Sequence, residues 1–400
     1  MAANLRDRLN RIRELKESEA AVKTEKPTPH DDSSLTFFGW ESCGFKTVKR
    51  EVTLVSPFKS MKSLPAALAI LVPDLAGRAL PVLEDFLFFD LETTGLSGGA
   101  GTTAFLAAFG KLVDGKLRIT QYLLLDYPGE NDFLDAVLAE FKNENSVIVS
   151  YNGKCFDSQI LKTRCLMNRI KPPEYFHADL LHPSRRLWKN IINDCSQGSV
   201  EARILKVYRE NDIPGAMAPE IWFEFLKTGR TERLLGICDH NLFDIAGLSS
   251  ILAAMISIAS DPIGCEEPTF DLERLALYWR NFLRRRSSDS ELQITGGELL
   301  RKAAEKNYPR AALVYAQDIL RMGDCEKARK MLRKVSESEY PLNIKLSALR
   351  TLAVDSERRL KNIALSVGFV NSALEIVNDG AWKKEFLRRK ERLEKKLQLT

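Results

Sequence analysis

Asp90 and Glu92 stand two residues apart at the end of the apolar run Phe86-Leu87-Phe88-Phe89, and Thr93-Thr94-Gly95-Leu96 follows them. The run reads as a buried strand. Strand side chains alternate between faces, so both carboxylates point the same way. Side by side they repel, and burial strips each of hydration. A divalent cation between them removes both problems, and oxygen-only ligands suit magnesium or manganese. Two more acidic residues have unusual neighbours. Asp157 closes Ser150-Tyr151-Asn152-Gly153-Lys154-Cys155-Phe156-Asp157, which follows a strand and opens a helix. Asp244 closes Asp239-His240-Asn241-Leu242-Phe243-Asp244, inside a helical run marked by Ile237, Ile245 and Leu248. His240 lies four residues before Asp244, so on a helix the two share a face.

The elements that must position these groups follow from periodicity. Strands are expected at 86–91, 103–112 and 117–125, the last two joined by the turn Asp114-Gly115. A helix at 131–142, a strand at 146–150, a helix at 157–167 and a strand at 178–181 come next. Helices are expected at 184–193, 199–208, 218–228 and 231–258. This order predicts a mixed five-stranded sheet with helices, an α/β domain over 86–260. Residues 1–34 read as a charged helix, with Leu5, Leu9, Ile12 and Leu15 in a thin stripe, and a flexible linker around Pro27 and Pro29. Residues 35–85 form an extension packed on the α/β domain and contain an alternating stretch, Thr47–Leu54. Residues 261–290 read as a connector, and 291–400 as helical throughout.

The three acidic segments resemble the three motifs of the DEDD superfamily of 3′–5′ exonucleases. Asp90-Leu91-Glu92-Thr93-Thr94-Gly95-Leu96 matches the first, Tyr151-Asn152 through Phe156-Asp157 the second, and His240 ahead of Asp244 the third. The element order is that of the ribonuclease H-like fold. Gly95 to Thr102, His177-Ala178-Asp179-Leu180-Leu181-His182-Pro183 and Asp212-Ile213-Pro214-Gly215 resemble the bacterial YprB-type family more closely. Those proteins join a ribonuclease H-like domain to tetratricopeptide-like helices. Here Ala311–Arg321, a turn at Gly323-Asp324 and Cys325–Lys334 are similar to one such hairpin, and Asn362–Val377 with Trp382–Leu397 to a second.

The resemblance implies a nuclease with two divalent ions, Mg2+ or Mn2+, held by Asp90, Glu92, Asp157 and Asp244, with Asp90 between them. Phosphodiester hydrolysis needs charge stabilised on both the attacking and the leaving oxygen, and two ions about 3.5–4 Å apart provide it. His240 is the candidate base, since imidazole titrates near neutral pH. In the family's histidine subclass the His precedes the Asp by five residues, and in the tyrosine subclass the Tyr precedes it by four. Here a His takes the tyrosine spacing. Thr93, Thr94 and Gly95 are expected to meet the 3′-terminal nucleotide, with Leu96 wedged against its base. Asn152 is expected at a sugar or water and Lys154 at a phosphate.

Composition narrows the setting. The chain has 400 residues and is 44% hydrophobic and 28% charged, ordinary for a globular protein. Seven cysteines, an odd number without a C-x-x-C pair, argue against a disulfide framework and for a reducing cytoplasm. No run of 18 apolar residues occurs and the N-terminus lacks a secretory h-region, so no membrane partner is expected. Residues 86–260 carry 18 Lys and Arg against 21 Asp and Glu, whereas 291–400 carry 23 against 15. The basic surplus thus lies towards the C-terminus, a phosphate-attracting surface or simply solvated helix faces. The expected partners are DNA or RNA with a free 3′ end, plus a protein docked on the C-terminal helices. A non-catalytic nucleic-acid-binding scaffold and a structure-specific endonuclease are the alternatives.

Overall fold

The computed structural model describes residues 39–58, 63–95, 99, 101–209, 212–265, 270–286 and 289–398. The expected N-terminal helix and linker, 1–34, and Leu96 lie outside the described residues.

Seven strands form one sheet: β1 (Glu41–Gly44), β2 (Thr47–Val55), β3 (Phe86–Thr93), β4 (Ala104–Val113), β5 (Lys116–Leu124), β6 (Val147–Ser150) and β7 (Phe176–Asp179). Their order is β1-β2-β5-β4-β3-β6-β7. Pairing is antiparallel from β1 through β3 and parallel across β3, β6 and β7. The sheet is therefore mixed, as expected, but the count of five strands was too low. The extra two come from the segment before residue 86. The alternating Thr47–Val55 stretch pairs with β5 along its whole length, from Thr47 opposite Leu124 to Val55 opposite Lys116. An alternating strand in isolation announces its face but not its neighbour, which is why 35–85 read as an extension.

The helices in chain order are α1 (Leu68–Leu71), α2 (Glu130–Ala139), α3 (Asp157–Met167), α4 (Leu181–Trp188), α5 (Gln197–Val200), α6 (Ala218–Thr228) and α7 (Glu232–Ser260). The array continues with α8 (Leu272–Arg286), α9 (Ser290–Glu305), α10 (Pro309–Met322), α11 (Cys325–Glu337), α12 (Leu342–Arg358), α13 (Ile363–Ile376) and α14 (Gly380–Leu397). Each helix of the array packs on the next, and α10 also touches α8 and α12.

The sheet separates two cores. Phe86 and Phe88 of β3 face one, with Ile245, Leu248 and Leu252 of α7. Leu87, Phe89 and Leu91 face the other, with Phe133, Leu134 and Trp222. This period-two split along one strand is what gives Asp90 and Glu92 a common face. The first core runs on without a break into α8 and α9 through Leu275, Trp279 and Leu299. Residues 261–290, read from sequence as a connector, thus contain a helix whose apolar face is part of the sheet's own core. By length and composition alone α7 also suits a membrane crossing, but 67% of that apolar window is buried inside the fold.

Candidate functional site

Strand β3 is fully buried up to Phe89, after which Asp90 and Glu92 are half-buried between buried Leu91 and Thr93. Asp90 sits in a lateral row of the sheet: opposite Ala108 on β4, then Gln121 on β5, then Arg50 on β2. Ala108 is small, and Gly110, opposite Phe88, is smaller. A Cβ on Gly110 would stand 2.5 Å from Cγ2 of Ile245, so α7 can lie this close only over a glycine. That approach brings Asn241, one turn before Ile245, within 2.7 Å of Asp90, to whose Oδ2 its Nδ2 donates.

The bond has a fixed direction. Arg50 only donates, and its Nε reaches Oε1 of Gln121 at 2.7 Å. Gln121 Nε2 then donates to Oδ1 of Asn241 at 2.8 Å and to the Cys238 carbonyl at 2.7 Å. Asn241 is left to present its amide hydrogens to Asp90. Both Gln121 and Asn241 are fully buried.

Asp157 is the first residue of α3, and its carboxylate is buried. The preceding loop turns at Asn152, which has φ of 67°. Asp179, at the end of β7, pins that loop: its Oδ1 accepts from the backbone N–H of Asn152 at 2.8 Å and its Oδ2 from that of Lys154 at 3.1 Å. The same Oδ1 also accepts from Leu181 at the start of α4, at 3.0 Å. Asp244 and His240 share a face of α7, with Nε2 of His240 3.3 Å from Oδ2 of Asp244.

The carboxylates feel one another. Burial first, then the charges of Asp244, Asp157 and Glu92, push Asp90 well above the ordinary carboxylate range, against the Asn241 bond. Burial, then Asp244, Asp157 and Asp212, do the same to Glu92. Asp157 is pushed up to about 7 by burial, opposed by a backbone hydrogen bond and reinforced by Asp179 and Asp244. Donor atoms of Glu92, His240 and Asp244 all lie within 4.8 Å of one another. Carboxylate oxygens from three separate elements, β3, α3 and α7, each raising its neighbours' affinity for a positive charge, fit a divalent cation of the hard, oxygen-binding kind.

Three groups here were not singled out by sequence reasoning. Asp212 accepts from Nδ1 of His240 at 2.7 Å. Gly215, two residues after Ile213, passes so near that a Cβ on it would stand 2.8 Å from His240 Nε2. Arg209 donates to Glu201 at 2.7 and 2.8 Å and to Asp244 Oδ1 at 2.8 Å, and lies 3.3 Å from Asp212. Burial opposes its charge, but the Glu201 bonds and the Asp244 charge more than compensate and hold the guanidinium protonated. The Asp212-Ile213-Pro214-Gly215 string carried a family resemblance without a role; Arg209 carried no signal, because an arginine in an irregular stretch looks like a surface residue.

The other expected contacts are placed as follows. The Thr93 hydroxyl donates to the Gly95 carbonyl at 2.8 Å, and the Thr94 hydroxyl accepts from the Thr103 N–H at 2.9 Å. Both close the turn after β3. Asn152 is exposed at the rim. Lys154 is paired with Asp74 at 2.6 Å. His177 bonds to Ser150 at 2.7 Å, and burial pushes it down to about 4, so it is neutral at physiological pH.

A mixed sheet with carboxylates at the end of the interior strand β3 and on helix α7 packed over it is ribonuclease H-like. Residues 87–256 match the family model RNase_H_2, of the RNase_H superfamily. A curated relative is "Uncharacterized protein YprB" of Bacillus subtilis (strain 168), 38% identical over 175 residues. The match takes in 43% of this chain and 42% of that protein, so less than half the relative's length is shared. Among solved structures, the family B DNA polymerase of the hyperthermophilic archaeon Pyrobaculum calidifontis is similar at 16% identity and a TM-score of 0.34. That similarity covers 49% of this chain and 29% of the polymerase chain.

Proposed function

We propose that the protein is a metal-dependent 3′–5′ exonuclease of the DEDD type, hydrolysing the terminal phosphodiester bond of single-stranded DNA or RNA. The observation that carries this reading is the gathering of carboxylates at the end of β3, where burial and then the charges of Asp244 and Asp157 push both Asp90 and Glu92 up. These four side chains would hold two Mg2+ or Mn2+ ions, which when bound supply the positive charge that steadies the attacking and leaving oxygens. Asn241 holds Asp90 as an acceptor. Asp212 takes the Nδ1 hydrogen of His240, so Nε2 keeps its lone pair and can take the proton of the attacking water. A glycine at position 215 leaves that nitrogen accessible. The turn at Thr94-Gly95 and the rim at Asn152 border the place for the 3′-terminal nucleotide. The C-terminal array, on this reading a tetratricopeptide-like module, is free to hold a protein partner.

One observation favours a second reading. Arg209 already neutralises Asp244, and a domain whose guanidinium replaced a metal would bind nucleic acid without cutting it. A cleavage panel separates the two. Labelled DNA and RNA oligonucleotides, each end blocked in turn, and a circular substrate are incubated with wild-type and Asp90→Asn protein in magnesium or manganese. The exonuclease reading expects stepwise loss from an open 3′ end that disappears in the variant. Cleavage of the circle would replace it with endonuclease action, and equal rates for both proteins would end it.

A further inference from the structure

Helix α4 leaves the carboxylate centre directly: Asp179, whose charge raises Asp157, also accepts from the N–H of Leu181. His182, Arg185 and Lys189 recur at three- and four-residue spacing and lie on one face of this helix and its last turn, over about 10 Å. All three are exposed. Across from them α8 supplies Arg274 and Tyr278, and with Arg186 these six residues line a cavity of about 400 Å3. The two helices are fastened at its edge. The Asp271 N–H donates to the Leu187 carbonyl at 2.9 Å, and Asn190 donates to the Asp271 carboxylate at 2.5 Å.

The charge of this cleft is unbalanced by construction. Among the described residues no carboxylate pairs with the side chain of Arg185, Arg186, Lys189 or Arg274. The nearby acids are committed elsewhere. Asp271 caps the α8 N-terminus, Glu273 accepts from the N–H groups of Arg310 and Ala311, Asp194 holds Ser196 and Ser199, and Asp74 pairs with Lys154. Arg186 is held in place, its guanidinium 3.8 Å from the Tyr278 ring centroid and 3.0 Å from the Leu71 carbonyl. Four cations converging in a concavity repel, and a fold keeps such an arrangement at a cost that an anionic ligand offsets. Arginine forks and a lysine spaced along a helix suit successive phosphates of one strand.

We propose that this cleft between α4 and α8 is a phosphate-binding subsite that grips the nucleic-acid backbone upstream of the end held at the carboxylates. The inference rests on the exonuclease reading for its place in the reaction. Its binding test does not, because binding is measured without cleavage. The test uses full-length Asp90→Asn protein and that protein carrying Arg185→Gln, Lys189→Gln and Arg274→Gln together. Binding of a fluorescent 12-nucleotide single strand is titrated at several salt concentrations. Losing three phosphate contacts is expected to lower the slope of log affinity against log salt by about 2 and to weaken binding at least tenfold at low salt. In the otherwise wild-type protein, the triple change is expected to leave hydrolysis of bis(p-nitrophenyl) phosphate, too short to span the cleft, at its original rate. Unchanged melting temperature and circular dichroism establish that the variant is folded, and single Lys189→Glu and Arg185→Glu proteins give the same reading with less perturbation. An unchanged salt slope overturns the proposal. So does a cleft that inorganic phosphate fills, as read by protection of the arginines, while the oligonucleotide binds triple variant and parent equally.

Discussion

Asp157→Asn should make the metal-free protein more stable, and increasingly so as pH rises. Asp157 is pushed up to about 7 from 3.8, so between those values the native state binds a proton that the unfolded chain has released. Stability therefore falls as pH climbs through this window and levels off above it. The difference of about 3 units corresponds to roughly 4 kcal/mol at 1.36 kcal/mol per unit, fully present at pH 8 and reduced to about 2 kcal/mol at pH 5. The side chain is only 5% exposed, so solvent screens little of it. An asparagine of the same shape removes this destabilisation and forfeits about 1 kcal/mol of hydrogen bonding. The variant should then melt above the wild type at pH 8 in chelator, by roughly 2 °C for each kcal/mol gained. Manganese should reverse the order. A ligand at a thousand times its Kd adds about 4.1 kcal/mol to the protein that binds it and nothing to the one that does not, which exceeds the roughly 3 kcal/mol the variant gains in chelator. The assay is thermal denaturation from pH 5 to 8.5, with EDTA or MnCl2. A variant that melts below wild type at every pH in EDTA, by a constant margin, would refute the burial and crowding of carboxylates on which the proposed metal site rests.

Three further outcomes follow from the same geometry. Arg209→Ala leaves Glu201, 2% exposed, without its guanidinium, and should cost about 3–5 kcal/mol in a urea melt while tightening manganese binding by calorimetry, since Asp244 is released. Asp212→Asn should lower turnover on a 3′-open oligonucleotide by about 10²-fold or more with little change in KM, because an amide can turn the imidazole into the wrong tautomer; a change confined to KM would contradict the orienting role. Gly110→Ala should cost about 1–3 kcal/mol by driving a methyl into Ile245, and should reduce metal affinity with it because Asn241 rides on the same turn.

Much of the site was legible because local pattern dictates it. The alternation of β3 fixes Asp90 and Glu92 on one face whatever the sheet around them, and the four-residue step fixes His240 against Asp244 on any helix. Gly323 and Asp324 end one helix and begin the next by local chemistry, an αL turn with φ of 101° and a side chain accepting from Lys327 N–H at 3.3 Å. What could not be read depended on partners far away in sequence. β2 joins β5 across about 70 residues, and nothing within Thr47–Val55 names its neighbour. Trp279 and Leu283 look like one amphipathic face among several until the first core is seen to continue into them. Arg209, Asp212 and Gly215 lie in a stretch without period, where side chains gain meaning only from the helix they cross.

The buried polar row shows why these long-range contacts matter for chemistry. An aspartate crowded by three other carboxylates has every reason to take up a proton, and a protonated Asp90 would be a poor ligand for a cation. The fold opposes this through direction. Arg50 has no acceptor to offer, which turns Gln121 so that its oxygen faces Arg50 and its amide faces Asn241. Asn241 in turn can only present hydrogens to Asp90 Oδ2. Breaking the row at Gln121 would free the Asn241 amide to rotate, and a protonated Asp90 could then donate to the Asn241 oxygen. Gln121→Leu should therefore weaken divalent-ion binding even though residue 121 touches no ligand, and should do so most at low pH, where the competing proton is plentiful. A Gln121→Leu protein whose manganese affinity matched wild type at pH 6 would show that the row only packs the core.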